Sequence, residues 1–227
     1  FNSGQTCVAP DYVLCPDAMV PDFVEACLTQ AGRFHSSIKE NDDYTAIIND
    51  RHRKRLEGYV TDAEAKGAKV SRFNPGGEEL SKKMGLTILS DVSDEMQVMQ
   101  EEIFGPVLPV VSYSQIEEAM SRIQEGERPL ALYYFDNSSS RIRNVLDDTI
   151  SGGVAINGCL LQFSQDNLPL GGIGNSGMGA YRGKIGFDTL THYKSVYRKT
   201  RLSPTFMVTK PPYTGFMRTL MRLLIWF

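Results

Sequence analysis

The sequence predicts an α/β protein whose mostly parallel, twisted sheet is flanked by helices. Three observations carry that prediction. Apolar runs alternate with helical patterns between residues 11 and 157, the strand–helix–strand order of βαβ units. The run Leu130-Ala131-Leu132-Tyr133-Tyr134-Phe135 is almost continuously apolar, as a strand covered on both faces would be. The 227 residues, 41% hydrophobic and 22% charged, suffice for one large domain or two small ones around a sizeable core.

The elements follow in order. Asp11-Tyr12-Val13-Leu14 reads as a short strand. Pro21 suits the first turn of a helix, Asp22 and Glu25 complement the positive end of its dipole, and Phe23, Val24, Cys27 and Leu28 recur at helical spacing. That spacing makes Cys27 a core residue. A second helix is predicted from Ile47 to Lys66, stopped by Gly67, and Lys69 to Phe73 reads as a strand before the turn Asn74-Pro75-Gly76-Gly77. Leu86 to Leu89 and Val107 to Val111 are further strands, with Pro109 pointing to an edge or a bulge. Ser114 can cap a helix over Gln115 to Gln124 with Glu117 as the capping-box acid. A helix follows Ser138-Ser139-Ser140 through Leu146, and Gly153 to Asn157 is the next strand. Leu168 to Lys184, with six glycines from Gly171 to Gly183, reads as a long irregular loop ending near Phe187. Tyr193 to Arg198 alternates as a strand that could pair with another subunit's sheet edge. The expected division is a main domain over 1–190, a strand over 191–200, and a partly helical tail over 201–227.

Composition excludes several classes. A net charge of −3 does not suit phosphate neutralisation, so no nucleic-acid partner is expected. The basic run Arg51-His52-Arg53-Lys54-Arg55 falls within a predicted helix and reads as a solvated face rather than a phosphate patch. The cysteines Cys7, Cys15, Cys27 and Cys159 lack zinc spacing, so no metal is expected, and reduced thiols in a cytoplasmic protein are the simplest reading. No apolar run approaches the ~20 residues of a membrane span. The apolar C-terminal stretch from Leu220 could dock on protein or, less simply, on a membrane surface.

Three segments could carry chemistry. Cys7, in Phe1-Asn2-Ser3-Gly4-Gln5-Thr6-Cys7-Val8-Ala9, reads either as a small buried hydrophobe or as a thiolate nucleophile. In the second case nearby backbone N–H groups could hold an oxyanion, and Gly4 could let a ligand approach the backbone. A Cys–His hydrolase would need His35, His52 or His192 beside Cys7. Gln100-Glu101-Glu102-Ile103-Phe104-Gly105-Pro106 offers a carboxylate for ribose hydroxyls and an aromatic ring, or else a solvated turn with Phe104 in the core. Leu170-Gly171-Gly172-Ile173-Gly174-Asn175-Ser176-Gly177-Met178-Gly179 lacks the dinucleotide spacing and reads as a flexible site wall.

Taken in order, these three segments resemble the C-terminal half of an NAD(P)-dependent aldehyde dehydrogenase, most similar to the class 3 and coniferyl aldehyde dehydrogenase branch. The resemblance covers essentially the whole chain. It implies that Cys7 attacks an aldehyde carbonyl and that a thiohemiacetal becomes a thioester, which water hydrolyses to a carboxylic acid. The Cys7 N–H would be one oxyanion donor. Glu102 would hold a ribose of NAD or NADP, and Phe104 would line the nicotinamide pocket. Asn157, Leu170 and Gly171 would border the aldehyde, which could be coniferyl or another aromatic or medium-chain aldehyde. Many family members have phenylalanine where Leu170 stands, which implies an altered pocket. The strand near Tyr193 would join subunits of a homodimer. The general-base glutamate, a second oxyanion donor and most cofactor contacts are expected outside these residues, which implies a fragment inactive by itself. The competing reading is a non-catalytic binding or oligomerisation module of the same fold.

Overall fold

In the computed structural model, which describes residues 1–77, 79–199 and 211–225, the chain divides into two compact units, Phe1–Leu190 and Thr191–Phe227. The first unit holds a four-stranded sheet and a two-stranded sheet. The four strands are β1 (Val13–Pro16), β2 (Lys69–Arg72), β3 (Thr87–Ser90) and β4 (Val107–Tyr113), in the order β1-β4-β3-β2. The β1–β4 and β4–β3 pairings are parallel, and β2 runs antiparallel to β3. Strands β5 (Ala131–Tyr134) and β6 (Gly153–Ile156) form a separate parallel pair.

Helices α1 (Val20–Phe34) and α2 (Asp50–Ala65) cover opposite faces of the larger sheet. Side chains alternate along a strand, so adjacent residues serve different layers. Leu89 and Val107 pack with Leu56, Tyr59, Val60 and Ala63 of α2, whereas Cys15, Ile88 and Val110 meet Val20, Phe23, Val24, Cys27 and Leu28 of α1. Cys27 thus packs against the core, as its spacing predicts. Ile38, Leu56, Ile88, Leu89, Met96 and Ile103 are each at most 1% exposed. Burying a side chain of this size contributes about 1.5–3 kcal/mol. Helices α3 (Ile116–Glu125) and α4 (Ser139–Asp148) flank β5, and α5 (Gly183–Leu190) ends the unit.

The structure corrects several expectations. The first ladder begins at Val13 rather than Asp11, because the Asp11 carboxylate turns away to accept the Ile103 N–H at 2.9 Å. Helix α2 starts at Asp50, not Ile47: Asn49 caps it, its Oδ1 accepting the His52 N–H at 3.0 Å, while Ile47 is buried. Pro109 lies inside β4, an interior strand, rather than at an edge or bulge. The β3 pairing ends at Leu89–Pro109 and the β1 pairing starts at Val13–Val110, so the proline stands where the ladder passes from one neighbour to the other.

At α3 the N-cap is Gln115, one residue past Ser114. Glu118 rather than Glu117 reaches back, accepting the Ser114 N–H at 3.0 Å, and Ser114 Oγ donates to Asp17 at 2.6 Å. β5 is half-buried along its length rather than covered on both faces, and among the described residues it pairs with β6 alone, which leaves its other edge without a strand. The glycine-rich segment is also less irregular than expected. Leu170 and Tyr181 form a two-bond antiparallel bridge of 2.9 and 2.8 Å, and α5 begins at Gly183.

Residues 192–199 carry neither helix nor strand in the single chain. Helix α6 (Gly215–Ile225) lies within the tail. Residues 200–210 and 226–227, on which part of the expected tail falls, lie outside the described residues.

Candidate active site

The Cys7 segment is a tight loop whose backbone leaves the usual conformations. Asn2, Ser3 and Gly4 all have positive φ, at 49°, 49° and 72°. A side-chain residue held there costs on the order of 1–3 kcal/mol, so neighbours must enforce it. Ser3 Oγ donates to Thr45 O at 2.6 Å. The Gln5 carboxamide donates to Ala46 O and accepts the Ile48 N–H, both at 3.0 Å. These bonds fix the loop upstream of Cys7. Cys7 itself is exposed and Val8 is buried, so the thiol faces outward from a loop anchored on both sides. Among the described residues the Cys7 N–H has no hydrogen-bond partner, which leaves a donor available beside the thiol.

Gly4 does not serve as the expected opening for a ligand. A Cβ there would lie 2.3 Å from Gly105 O, so the backbone of the second segment occupies that space. Gly105 in turn lies on Leu56 of α2, whose methyls would be 2.5 Å from an added Cβ. Cys7 and Glu102, 95 positions apart in the chain, therefore belong to two loops stacked directly on one another and on the core.

The Glu102–Gly105 loop is held by its backbone and presents its side chains. Arg55 of α2 donates to Glu102 O at 3.0 Å and to Ile103 O at 2.6 Å, and to Tyr59 Oη at 3.0 Å. Asp11 holds the Ile103 N–H. Burial raises the Asp11 carboxyl above its usual range, the Ile103 bond opposes the rise, and the nearby Glu102 charge adds to it. Ile103 is 1% exposed and anchors the loop, whereas Glu102 is exposed and Phe104, at φ 50°, is 41% exposed. Phe104 thus lies at the surface rather than in the core. An outward carboxylate beside an outward aromatic ring, on a backbone that is tied down, fits a ligand with ribose hydroxyls and a flat ring.

Asn157, Leu170 and Gly171 are placed differently from one another. Asn157, at φ 55°, donates its N–H to Tyr134 O at 2.8 Å. Its carboxamide accepts the Asp136 N–H and donates to Asp136 O, both at 2.9 Å, adding a side-chain rung beyond the β5–β6 ladder. Asp136 also takes two bonds of 2.6 Å from Arg141, which holds its carboxyl well below the usual range. Leu170 is buried in its bridge to Tyr181. A Cβ on Gly171 would lie 2.0 Å from Gly179 O, and one on Gly172 would lie 2.0 Å from Ser176 O. The glycines let the loop fold on itself.

A bond from Tyr133 Oη to Val8 O, 2.6 Å, joins the β5–β6 pair to the Cys7 loop. Burial raises the Tyr133 pKa, and Cys159 and Cys7 lie near enough to add to the rise. Neither His35, set edge-on to Tyr44, nor His52, on α2, hydrogen-bonds Cys7. Among the described residues no three His, Cys, Asp or Glu side chains form a group that could hold a metal.

Sequence reasoning missed Arg55 and Tyr133. Arg55 falls in the basic run that reads as a solvated face, although it precedes Tyr59 by four residues, on the helix face that carries the core. Tyr133 lay in an apolar run and had no local signal.

The chain matches the model of the aldehyde dehydrogenase family over residues 1–196. It is 40% identical over 229 residues to the coniferyl aldehyde dehydrogenase of a Pseudomonas species, covering 99% of this chain and 48% of that protein. It is 41% identical over 213 residues to a dimeric NADP-preferring aldehyde dehydrogenase of Canis lupus familiaris, covering 93% and 46%. The substrate-bound structure of AldH from Staphylococcus aureus superposes with a TM-score of 0.84 at 35% identity, covering 98% of this chain and 48% of that one. The chain spans about half the length of the curated relatives it matches.

Proposed function

The chain belongs to the aldehyde dehydrogenase family, and from that premise we propose that it supplies the nucleophile and part of the cofactor site of an NAD(P)-dependent oxidation of an aldehyde to a carboxylic acid. The seating of Gly4 on Gly105 carries this reading, because it puts the Cys7 loop and the Glu102–Phe104 loop on one surface. The exposed Cys7 thiolate attacks the aldehyde carbonyl, and the free Cys7 N–H faces the oxygen as it gains charge. Bound NAD or NADP supplies the two-electron acceptor. Glu102 would hold a ribose and Phe104 the nicotinamide ring. Loss of a hydride from the Cys7 thiohemiacetal oxyanion to that acceptor would leave a Cys7 thioester, which water would hydrolyse to the acid and the free thiol.

The coniferyl and other aromatic aldehydes are the substrates we favour, since a relative 40% identical is named for coniferyl aldehyde. Asn157 and Gly171 would border the aldehyde, the first by shaping the turn after β6 and the second through loop backbone. Leu170 would shape that border from within the protein, since its side chain is buried. The general base is assigned to no residue of this chain, so residues 1–227 alone are expected to be inactive. A cytoplasmic location is proposed. The chain has no helix, among the described residues, long and apolar enough to cross a membrane.

The decisive experiment uses the full-length enzyme with NAD or NADP and an aromatic aldehyde. Cys7→Ala should lower turnover by at least about three orders of magnitude and abolish the acyl-Cys7 adduct seen by mass spectrometry. A variant that keeps turnover would overturn the reading, as would robust activity of residues 1–227 alone. The competing non-catalytic module would show no adduct at all.

We also propose that residues 193–198 pair across a homodimer. Val196 and Tyr197 are 80% and 81% exposed in the single chain, and a relative is named as dimeric. Val196→Asp should convert the full-length protein to monomers in sedimentation velocity; an unchanged dimer would remove this segment from the interface.

A further inference from the structure

The Cys7 loop is anchored upstream of the thiol by Ser3, Gly4 and Gln5. Downstream, the next residue is held from another element: Val8 O accepts the 2.6 Å bond from Tyr133 Oη, and Val8 is 3% exposed. Tyr133 is set in β5 opposite Ala155 of β6, so its ring is tied to a ladder.

A phenol has one proton to donate, and here it goes to Val8. The oxygen's lone pair then accepts Gln162 Nε2–H at 3.2 Å. That orientation leaves Gln162 Oε1 buried without a partner among the described residues. Turning the amide over would not help, since Tyr133 has no second proton to give. A buried acceptor without a donor is destabilising. Stability alone would therefore favour an apolar side chain of similar size at position 162.

We propose that Tyr133 is a positioning residue for Cys7, with Gln162 fixing the direction of its hydroxyl. Val8 O belongs to the Val8–Ala9 peptide, whose N–H donates to Thr6 O at 3.1 Å, and Thr6 O shares its peptide with the Cys7 N–H, so holding the Val8 carbonyl sets the aim of Cys7 Sγ and N–H at the aldehyde carbon and oxygen. Small errors in such aim cost rate even when binding is intact. The proposal rests on the reading of Cys7 as the nucleophile.

The test compares Tyr133→Phe, Gln162→Leu and the double variant in the full-length enzyme. Three quantities are read: kcat per titrated active site, KM for aldehyde and cofactor, and the rate of Cys7 alkylation by iodoacetamide. Tyr133→Phe should lower kcat about tenfold and alkylation about fivefold, with cofactor KM within about twofold of wild type. Gln162→Leu should lower both rates about threefold while leaving Tm unchanged or raised, which a merely structural role would not produce. The double variant should match Tyr133→Phe, because the two groups act through one bond. Wild-type kcat and alkylation in Tyr133→Phe, or rates in the double variant that multiply, would overturn the proposal alone. An inert Cys7 in the wild-type enzyme would overturn it together with the reading on which it rests.

Discussion

Two of the loops that bring backbone closer to backbone than any Cβ would permit rest on different supports. Gly4 lies on Gly105, and Gly105 lies on the fully buried Leu56. That stack joins segments 101 residues apart to the main core. Gly171 and Gly172 lie on Gly179 and Ser176, eight and four residues away, and the bridge Leu170–Tyr181 closes the same segment. The Gly4 contact joins distant segments, whereas the Gly171 and Gly172 contacts close within their own segment, which meets the rest of the fold on its other side, at Gly152, where a Cβ would lie 2.3 Å from Gly171 O. Close approach is therefore no measure of how far a disturbance travels; what counts is which elements the contact ties together.

Paired substitutions put the largest effect first. Gly4→Ala meets both a backbone clash and a φ of 72°, and should cost about 3 kcal/mol or more. The melting temperature of the unit Phe1–Leu190 should fall by roughly 6–12 °C. Gly171→Ala meets a still closer carbonyl, but one within its own segment, and should move Tm by less than about 2 °C while speeding proteolysis between residues 168 and 184. Equal Tm losses would erase the distinction.

A smaller effect tests the clamp on the first loop. Arg55→Met keeps apolar bulk but removes the donors to Glu102 O and Ile103 O. It should weaken NAD(P) binding to the full-length enzyme about tenfold by fluorescence titration. Unaltered affinity would mean that the loop holds its shape without the guanidinium.

The smallest effect belongs to the second region and depends on pH. Arg141 lowers the folded-state pKa of Asp136, so the stabilisation is present above the unfolded carboxylate pKa and is lost as pH falls towards the folded value. Asp136→Asn should thus lower Tm at pH 7, and the gap from wild type should narrow as pH falls below about 4. A gap that stays constant on acidification would show that charge is not what Asp136 contributes.

The contrast also explains what could be read from the sequence. Strands β2, β3 and β6 announce themselves through short apolar or alternating runs between turn residues, and they lie within a residue or so of their expected limits. The three segments proposed to carry chemistry are legible as motifs. Their use of glycine was not: nothing local says that Gly4 faces Gly105. Helix α5 was hidden because it opens on Gly183 and contains Gly186, which is buried against Tyr181 where a Cβ would be 2.9 Å from its carbonyl carbon. Pro109 misled because the rule against interior proline assumes a ladder donor is needed, and at the handover between β3 and β1 none is. Arg55 and Tyr133 act on carbonyls of distant residues, and a carbonyl carries no mark in a sequence of side chains.

The Gly4–Gly105 stack has a practical consequence for anyone who would exchange the cysteine loop between related proteins. A graft of the cysteine loop alone imports one half of a mould. Unless the incoming segment brings a glycine and its left-handed bend, and the host keeps a bare position opposite, the two surfaces will not close. The smallest transplantable piece is the pair of loops together with the helix beneath them.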